Sequence, residues 1–278
     1  MNILFLGDIV GRRARESVIE NLPQWRDDMA LDFVVVNGEN AAGGFGITAK
    51  ICDALFAAGV DIITLGNHAW DQPEILNHIT HEPRLLRPAN YPIGTAGKGV
   101  GLFTTEKGKQ VLVITLLGQL FMETLNDPFA IMDKELNTCL LGEMADAIIV
   151  EFHGEASSEK MAAGHFCDGR ATLVVGSHTH VPTADTQILP HGTAYQTDAG
   201  MCGDYDSVIG MEKEEPIYRF LTKIRRGRLT PSLGEPSICG VFVVSDDKSG
   251  LAKQIKPFRW GGRLSPTNPF TQNEPNAK

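Results

Sequence analysis

Ala171-Thr172-Leu173-Val174-Val175-Gly176-Ser177-His178-Thr179-His180 is an apolar run that ends in two histidines one residue apart. The run is short, aliphatic and without helical spacing, so 171–176 reads as a buried strand. If the segment stays extended through its end, side chains two positions apart point the same way. His178 and His180 then share one side and Thr179 takes the other. Two imidazoles on one side of a strand end are half a metal site. Outward from this stretch, three other apolar runs end in the same manner: Leu6-Gly7-Asp8, Val36-Asn37-Gly38-Glu39-Asn40 and Leu65-Gly66-Asn67-His68. A fifth, Ile148-Ile149-Val150-Glu151-Phe152, delivers His153.

The spacing of these runs predicts strands near 2–7, 32–37, 61–66, 110–117, 147–152 and 171–176, alternating with helical segments as in an α/β fold. Helices are expected at 12–22, 71–80, 157–164 and 212–223. A further one is opened by Thr48 and closed by Gly59, and another runs from the Asp127 cap and first-turn Pro128 to about residue 145. Beyond His180, Thr186–Leu189, Thr193–Thr197, Ile238–Ser245 and Leu251–Phe258 read as strands of a second, more antiparallel sheet packed on the first. Residues 1–260 are expected to form one domain, followed by a disordered tail, 261–278, rich in Gly, Pro, Asn and Thr.

A chain of 278 residues that is 42% hydrophobic can bury a full core. Lys plus Arg number 25 against 34 Asp plus Glu, a net charge of −9. That balance argues against an extended nucleic-acid surface or an anionic membrane as partner, while bound metal ions reverse the sign locally and leave a short nucleotide open. Ile3 to Leu6 is far too short for a signal-peptide core, and no run approaches the ~20 residues of a membrane span, so a cytoplasmic protein is expected. The five cysteines (Cys52, Cys139, Cys167, Cys202, Cys239) are scattered and lack Cys-x-x-Cys spacing, so each reads as a small buried residue, Cys167 and Cys202 falling in loops.

In a sheet of this kind ligands collect beyond the carboxyl ends of the strands. That rule places Asp8, Glu39, Asn40, Asn67, His68, His153, His178 and His180 in one cleft. Singly each has a plain explanation: Asp8 as a helix cap, Asn40 and Asn67 as turn residues, any one histidine as structural. Jointly, eight polar residues at five equivalent strand ends call for a shared cause. Imidazoles with carboxylates and amide oxygens, and no thiolate, suit Fe, Mn or Zn rather than a zinc finger or a calcium loop. With His68 set aside, seven donors exceed what one first-row ion takes, so two ions are expected, with Glu39 the natural bridge.

The ordered series Gly7-Asp8, Gly38-Glu39-Asn40, Gly66-Asn67-His68, His153 and Gly176-Ser177-His178-Thr179-His180 resembles the calcineurin-like metallophosphoesterases. Longer strings, Asn37-Gly38-Glu39-Asn40-Ala41-Ala42, Gly66-Asn67-His68-Ala69-Trp70-Asp71, Arg87-Pro88-Ala89-Asn90 and Thr197-Asp198-Ala199-Gly200-Met201, resemble the bacterial YmdB-type family within them, from Met1 to about residue 258. Two departures from the wider superfamily stand out. The Asp-x-His of the first strand is here Asp8-Ile9-Val10, and the resemblance implies that Asn40 takes the missing imidazole's place. The acidic residue after Asn-His is here Ala69, which leaves Asp71 to orient His68.

The resemblance implies a layered αββα sandwich of two mixed sheets flanked by helices. It further implies one ion held by Asp8, Glu39, Asn40 and His180, and a second by Glu39, Asn67, His153 and His178. Iron, 2′,3′-cyclic nucleotide substrates and a homo-oligomer follow from the same likeness. His68, beside a ligand but not needed as one, is placed to protonate the departing ribose oxygen as a general acid. A phosphomonoesterase or nuclease using the same ions, and a regulatory protein that holds metal and nucleotide with only incidental turnover, stand as alternatives.

Other features have plainer readings. Gly43-Gly44-Phe45-Gly46 and Gly97-Lys98-Gly99-Val100-Gly101 lack phosphate-loop spacing and read as flexible loops beside the cleft. Lys223-Ile224-Arg225-Arg226-Gly227-Arg228 reads as a solvated helix end and turn. His78, His81, His165 and His191 lack the strand-end setting, although the segment from Gly164 to Arg170 precedes the ligand strand, and within its reach Arg170 is a candidate phosphate contact. Asp198 at a later strand end is a candidate acceptor for a ligand imidazole or a turn cap.

Overall fold

A computed structural model describes residues 1–267. Two six-stranded sheets face each other with helices outside, the αββα arrangement expected from the resemblance. The first sheet sets Asn2–Leu6, Phe33–Asn37, Ile62–Thr64 and Leu85–Leu86 side by side in parallel. The second holds Gln110–Leu117, Ala147–His153, Leu173–Ser177 and Ala194–Gln196, also parallel, with Val100–Thr104 and Gln187–Ile188 antiparallel at its edges.

The period of two along each strand divides its side chains between two layers. Ile3, Phe5, Phe33, Val35 and Ile62 face Val111, Val113, Ala147, Ile149, Leu173 and Val175 between the sheets. Their neighbours Leu4, Leu6, Val34, Val36 and Ile63 pack outward with the helices Gly11–Asp28 and Ala49–Ala57. On the far side Leu112, Ile114, Ile148, Val150 and Phe152 pack with Pro128–Thr138 and Ser157–Phe166. A one-residue slip would exchange the two apolar sets without exposing either, so register rests on how each set fits its own layer rather than on burial alone.

Several expectations are corrected. The late strands do not form a sheet of their own. Ile238–Ser245 pairs antiparallel with Asn2–Leu6 and carries Ala252–Trp260 as the edge of the first sheet, while Ala194–Gln196 extends the second. The first strand needs a partner on its outer side, and the all-buried Ile238–Val243 supplies it. The helix opened by Asp127, whose side chain accepts from the Phe129 N–H, ends at Thr138 rather than near 145. The segment 71–80 is helical only over Ile75–His78, because Pro73 delays its start. The Gly97–Gly101 stretch runs into the edge strand Val100–Thr104. All five cysteines are buried and unpaired. Of the expected tail, 261–267 turns back so that Arg259 and Thr267 exchange backbone hydrogen bonds, and 268–278 lies outside the described residues. Among the described residues no helix is long and apolar enough to cross a membrane.

Candidate metal centre

Four strands of the layer between the sheets change from apolar to polar at the same end. Phe33 and Val35 are followed on that face by Asn37, Val111 and Val113 by Thr115, Ala147 and Ile149 by Glu151 and His153, and Leu173 and Val175 by Ser177. All five polar residues are fully buried. Glu151 Oε1 accepts from Asn37 Nδ2 and Ser177 Oγ, both at 2.7 Å, and its Oε2 accepts from Thr115 Oγ1 at 3.2 Å. Because Ser177 donates to Glu151, its Oγ is left to accept from His153 Nδ1 at 2.9 Å. The far nitrogen, Nε2, therefore faces the cleft.

Around that one atom stand Asn67 Oδ1 at 3.0 Å, Glu39 Oε1 at 3.1 Å and His178 Nδ1 at 3.1 Å. Donors held ~2.1 Å from a common ion at right angles lie about 3.0 Å from one another, so this spacing, which also suits hydrogen bonds, is compatible with a shared ion. Asp8, Asn40 and His180 gather beside it. Asp8 Oδ2 accepts from the His178 N–H at 3.2 Å, while Oδ1 lies 3.8 Å from His180 Nε2. His180 donates its Nδ1–H to the Ile209 carbonyl at 2.8 Å, which turns the Nε2 lone pair inward. Asn40 donates to Gly44 O at 2.9 Å and keeps its own oxygen free. Asp8 Oδ1 and Asn40 Oδ1 are buried without a hydrogen-bond partner among the described residues. Two orphaned buried acceptors facing a cleft are what a cation would satisfy.

The electrostatics agree. Burial works to raise Glu39, but the charge and hydrogen bond of His153, with help from His68, hold it at about 2. Burial opposes the His153 proton, and Glu39, Asp8 and Glu151 retain it up to about 9. Burial and the neighbouring His153 push His178 down to about 3. Desolvation raises both Asp8 and Glu151, against the lowering pull of nearby histidines. Three buried carboxyl groups thus crowd around one imidazole, an arrangement in which bound metal ions would favour the charged carboxylates.

The two strand-end histidines do not converge by remaining extended. The strand stops at Ser177, and His178 and His180 take φ of 93° and 65°, left-handed values unusual for residues with a side chain. Such a loop has to be held. Asp198 Oδ2 accepts from Thr179 N at 3.1 Å and Thr179 Oγ1 at 2.8 Å, while the buried Lys160 bridges Asp198 Oδ2 and Ser177 O at 2.7 Å each. Asp198 therefore holds the loop rather than an imidazole. From the open side Glu155 Oε2 stands 3.2 Å from His178 Nε2.

His68 lies at the rim. Its N–H donates to Glu39 Oε2 at 2.9 Å, its ring meets Phe45 edge-on at 5.1 Å, and Nδ1 lies 2.7 Å from Asp71 Oδ2, a contact that can orient the ring. Glu39, Asn40, His68, His178 and His180 line a cleft of about 530 Å³ together with Gly44, Phe45 and residues of the helix Glu214–Thr222 and the turn after it. The basic cluster is not merely solvated, since Lys223 and Arg225 line that cleft. Arg170 does not reach it: the guanidinium binds Asp133 Oδ1 at 2.9 Å and Asn137 Oδ1 at 3.0 Å, and His165 is exposed on its helix.

Asn37, Thr115, Glu151, Glu155, Lys160 and Ser177 were not singled out in the sequence. Strand alternation continued one step past the apolar residues finds four of them, whereas Lys160 sits on a helix and Glu155 in a loop, where no period points to the cleft.

A profile of the YmdB-like protein family matches residues 4–258. The chain is 46% identical over 259 residues to the 2′,3′-cyclic-nucleotide 2′-phosphodiesterase of Bacillus subtilis, covering 92% of this chain and 96% of that protein. It is 35% identical to a putative phosphatase/phosphodiesterase of Mycoplasma genitalium, with 93% and 92% covered. Among solved structures, a hypothetical protein from Thermus thermophilus superimposes with a TM-score of 0.87 at 42% identity, covering 95% of this chain and all of that one. A novel phosphatase from Mycoplasma pneumoniae gives 0.85 at 34%, covering 94% and 93%. The family match spans residues 4–258, nearly the whole described chain, which belongs to the YmdB-like family.

Proposed function

We propose that the chain is a metal-dependent phosphodiesterase that opens small nucleotide phosphodiesters, 2′,3′-cyclic nucleotides foremost. In this reading Asp8, Glu39, Asn40 and His180 hold one ion, and Glu39, Asn67, His153 and His178 hold a second, iron before Mn or Zn. The single observation that carries it is the convergence of Glu39, Asn67 and His178 on His153 Nε2 at 3.0–3.1 Å. The substrate follows the name of the B. subtilis relative.

Bound ions would neutralise phosphate oxygens and make water acidic enough to attack near neutral pH. The chain's own residues do the rest. As the new P–O bond forms and the P–O2′ bond breaks, the departing ribose oxygen needs a proton. His68 supplies it from Nε2, since Asp71 occupies Nδ1 and fixes the ring's orientation. Glu151, through Ser177 and Asn37, keeps His153 from turning its ligand nitrogen away.

The test is metal analysis of protein purified without chelator, paired with hydrolysis of 2′,3′- and 3′,5′-cyclic nucleotides, phosphomonoesters and oligonucleotides. Bound first-row metal, and chelator-sensitive turnover that favours the 2′,3′-cyclic compounds, is expected. Full activity after metal removal would refute the reading.

A further inference from the structure

The cleft is lined by more than the candidate metal centre. Glu39, Asn40, His68, His178 and His180 share its lining with Lys223 and Arg225. In a chain of net charge −9, cations aimed into a cleft call for a reason. Neighbouring basic groups are already matched: Arg219 Nε donates to Glu215 Oε1 at 2.7 Å, and the same carboxylate accepts from the Arg226 N–H at 3.0 Å and pairs with the Arg226 guanidinium at 3.6 Å. Lys223 and Arg225 have no acidic partner among the described residues; Lys223 only rests over the Phe220 ring at 5.9 Å.

The turn that presents them is built rather than loose. Lys223 closes the helix with φ 63° while donating its N–H to Arg219 O, and Glu215 clamps the backbone at Arg226. The same lining includes the apolar Ile209 and Met211 and the 71% exposed Phe220, whose ring lies under the Lys223 ammonium on one face. A cation pair, an aromatic face and a reacting centre along one groove match a phosphate, a base and a cyclic phosphate along one nucleotide.

We propose that Lys223 and Arg225 recognise a phosphate on the 5′ oxygen of the same ribose whose 2′,3′-cyclic phosphate is opened. The preferred substrate then carries a second phosphate, either as the cyclic end of a short oligoribonucleotide or as a 5′-phosphorylated cyclic nucleotide. This rests on the phosphodiesterase reading above.

The test uses the metal-loaded enzyme and three compounds: adenosine 2′,3′-cyclic phosphate, its 5′-phosphorylated form, and the ApA dinucleotide ending in the cyclic phosphate. Expected is a kcat/KM at least about tenfold higher for one or both phosphate-bearing compounds. That ratio should fall to within about twofold in the Lys223→Ala/Arg225→Ala double variant and drop below one in Lys223→Glu/Arg225→Glu. A gain confined to the dinucleotide identifies an RNA end as the source; a gain shared by the 5′-phosphorylated nucleotide identifies the phosphate itself. A ratio near one in the wild type, or one that survives both double variants, overturns the inference while leaving cyclic-nucleotide hydrolysis intact. Absence of turnover on all three, with bis(p-nitrophenyl) phosphate still cleaved, refutes the cyclic-nucleotide reading and this inference with it.

Discussion

Lys160→Met should cost the metal-free protein about 3 kcal/mol of stability, and the reasoning is local. The ammonium is 1% exposed and makes two hydrogen bonds of 2.7 Å, to Ser177 O and Asp198 Oδ2. Methionine fills much the same volume, so little cavity forms, but Asp198 is left as a buried carboxylate with no cation. Breaking a buried pair in this way costs ~3–5 kcal/mol. The lower end applies because Asp198 keeps the Thr179 N–H and Oγ1 and the Gly200 N–H as donors. Folded domains hold roughly 5–15 kcal/mol, so the variant still folds. The assay is equilibrium urea unfolding with chelator present, followed by tryptophan fluorescence; at a slope near ~3 kcal/mol/M the midpoint falls by about 1 M. Adding Asp198→Asn removes the stranded charge and should return more than half of the loss, a coupling read from the double-mutant cycle. A loss below about 1 kcal/mol in Lys160→Met, or an Asp198→Asn substitution that brings no recovery, would refute the idea that this pair holds the loop carrying His178 and His180 through its electrostatics.

Gly66→Ala should abolish metal binding in a protein that still folds, because a Cβ there would lie 2.3 Å from His153 Nε2 and 2.5 Å from Glu39 Oε2; metal content per chain is the readout. His68→Ala should lower kcat about 10²–10⁴-fold on 2′,3′-cyclic nucleotides, yet much less on p-nitrophenyl esters, whose leaving group needs no proton. Equal losses on both would remove His68 from the role of acid. Glu155→Gln should weaken metal binding about tenfold or more by releasing His178 Nε2, measured by competition with a chromogenic chelator, and unchanged affinity would count against that contact.

What the sequence discloses and what it hides follow from the range of the forces involved. The strands near Leu4, Val35 and Ile149 are legible because burial on both faces demands continuous aliphatic runs, and the helix starts at Thr48 and Asp127 because a cap is a local hydrogen bond. The pairing of Ile238–Ser245 with the first strand is not legible, since partner choice depends on which edge remains open after the other strands have docked. The same division runs through the candidate site. Asp8, Glu39, Asn67 and His153 stand out because carboxylates, amides and imidazoles directly after apolar strands are costly unless used. Lys160 leaves no such mark, for its helix offers it to solvent or core alike until Asp198 arrives from 38 residues away. The placement of His178 and His180 is the instructive middle case. Extended geometry predicts that they share a side, and they do converge, but through two left-handed residues that Asp198 and the Ile209 carbonyl hold in place. A sequence can therefore name polar residues that gather at one cleft while the strain that aims them, and the buried ion pair that offsets it, are decided by contacts between distant segments.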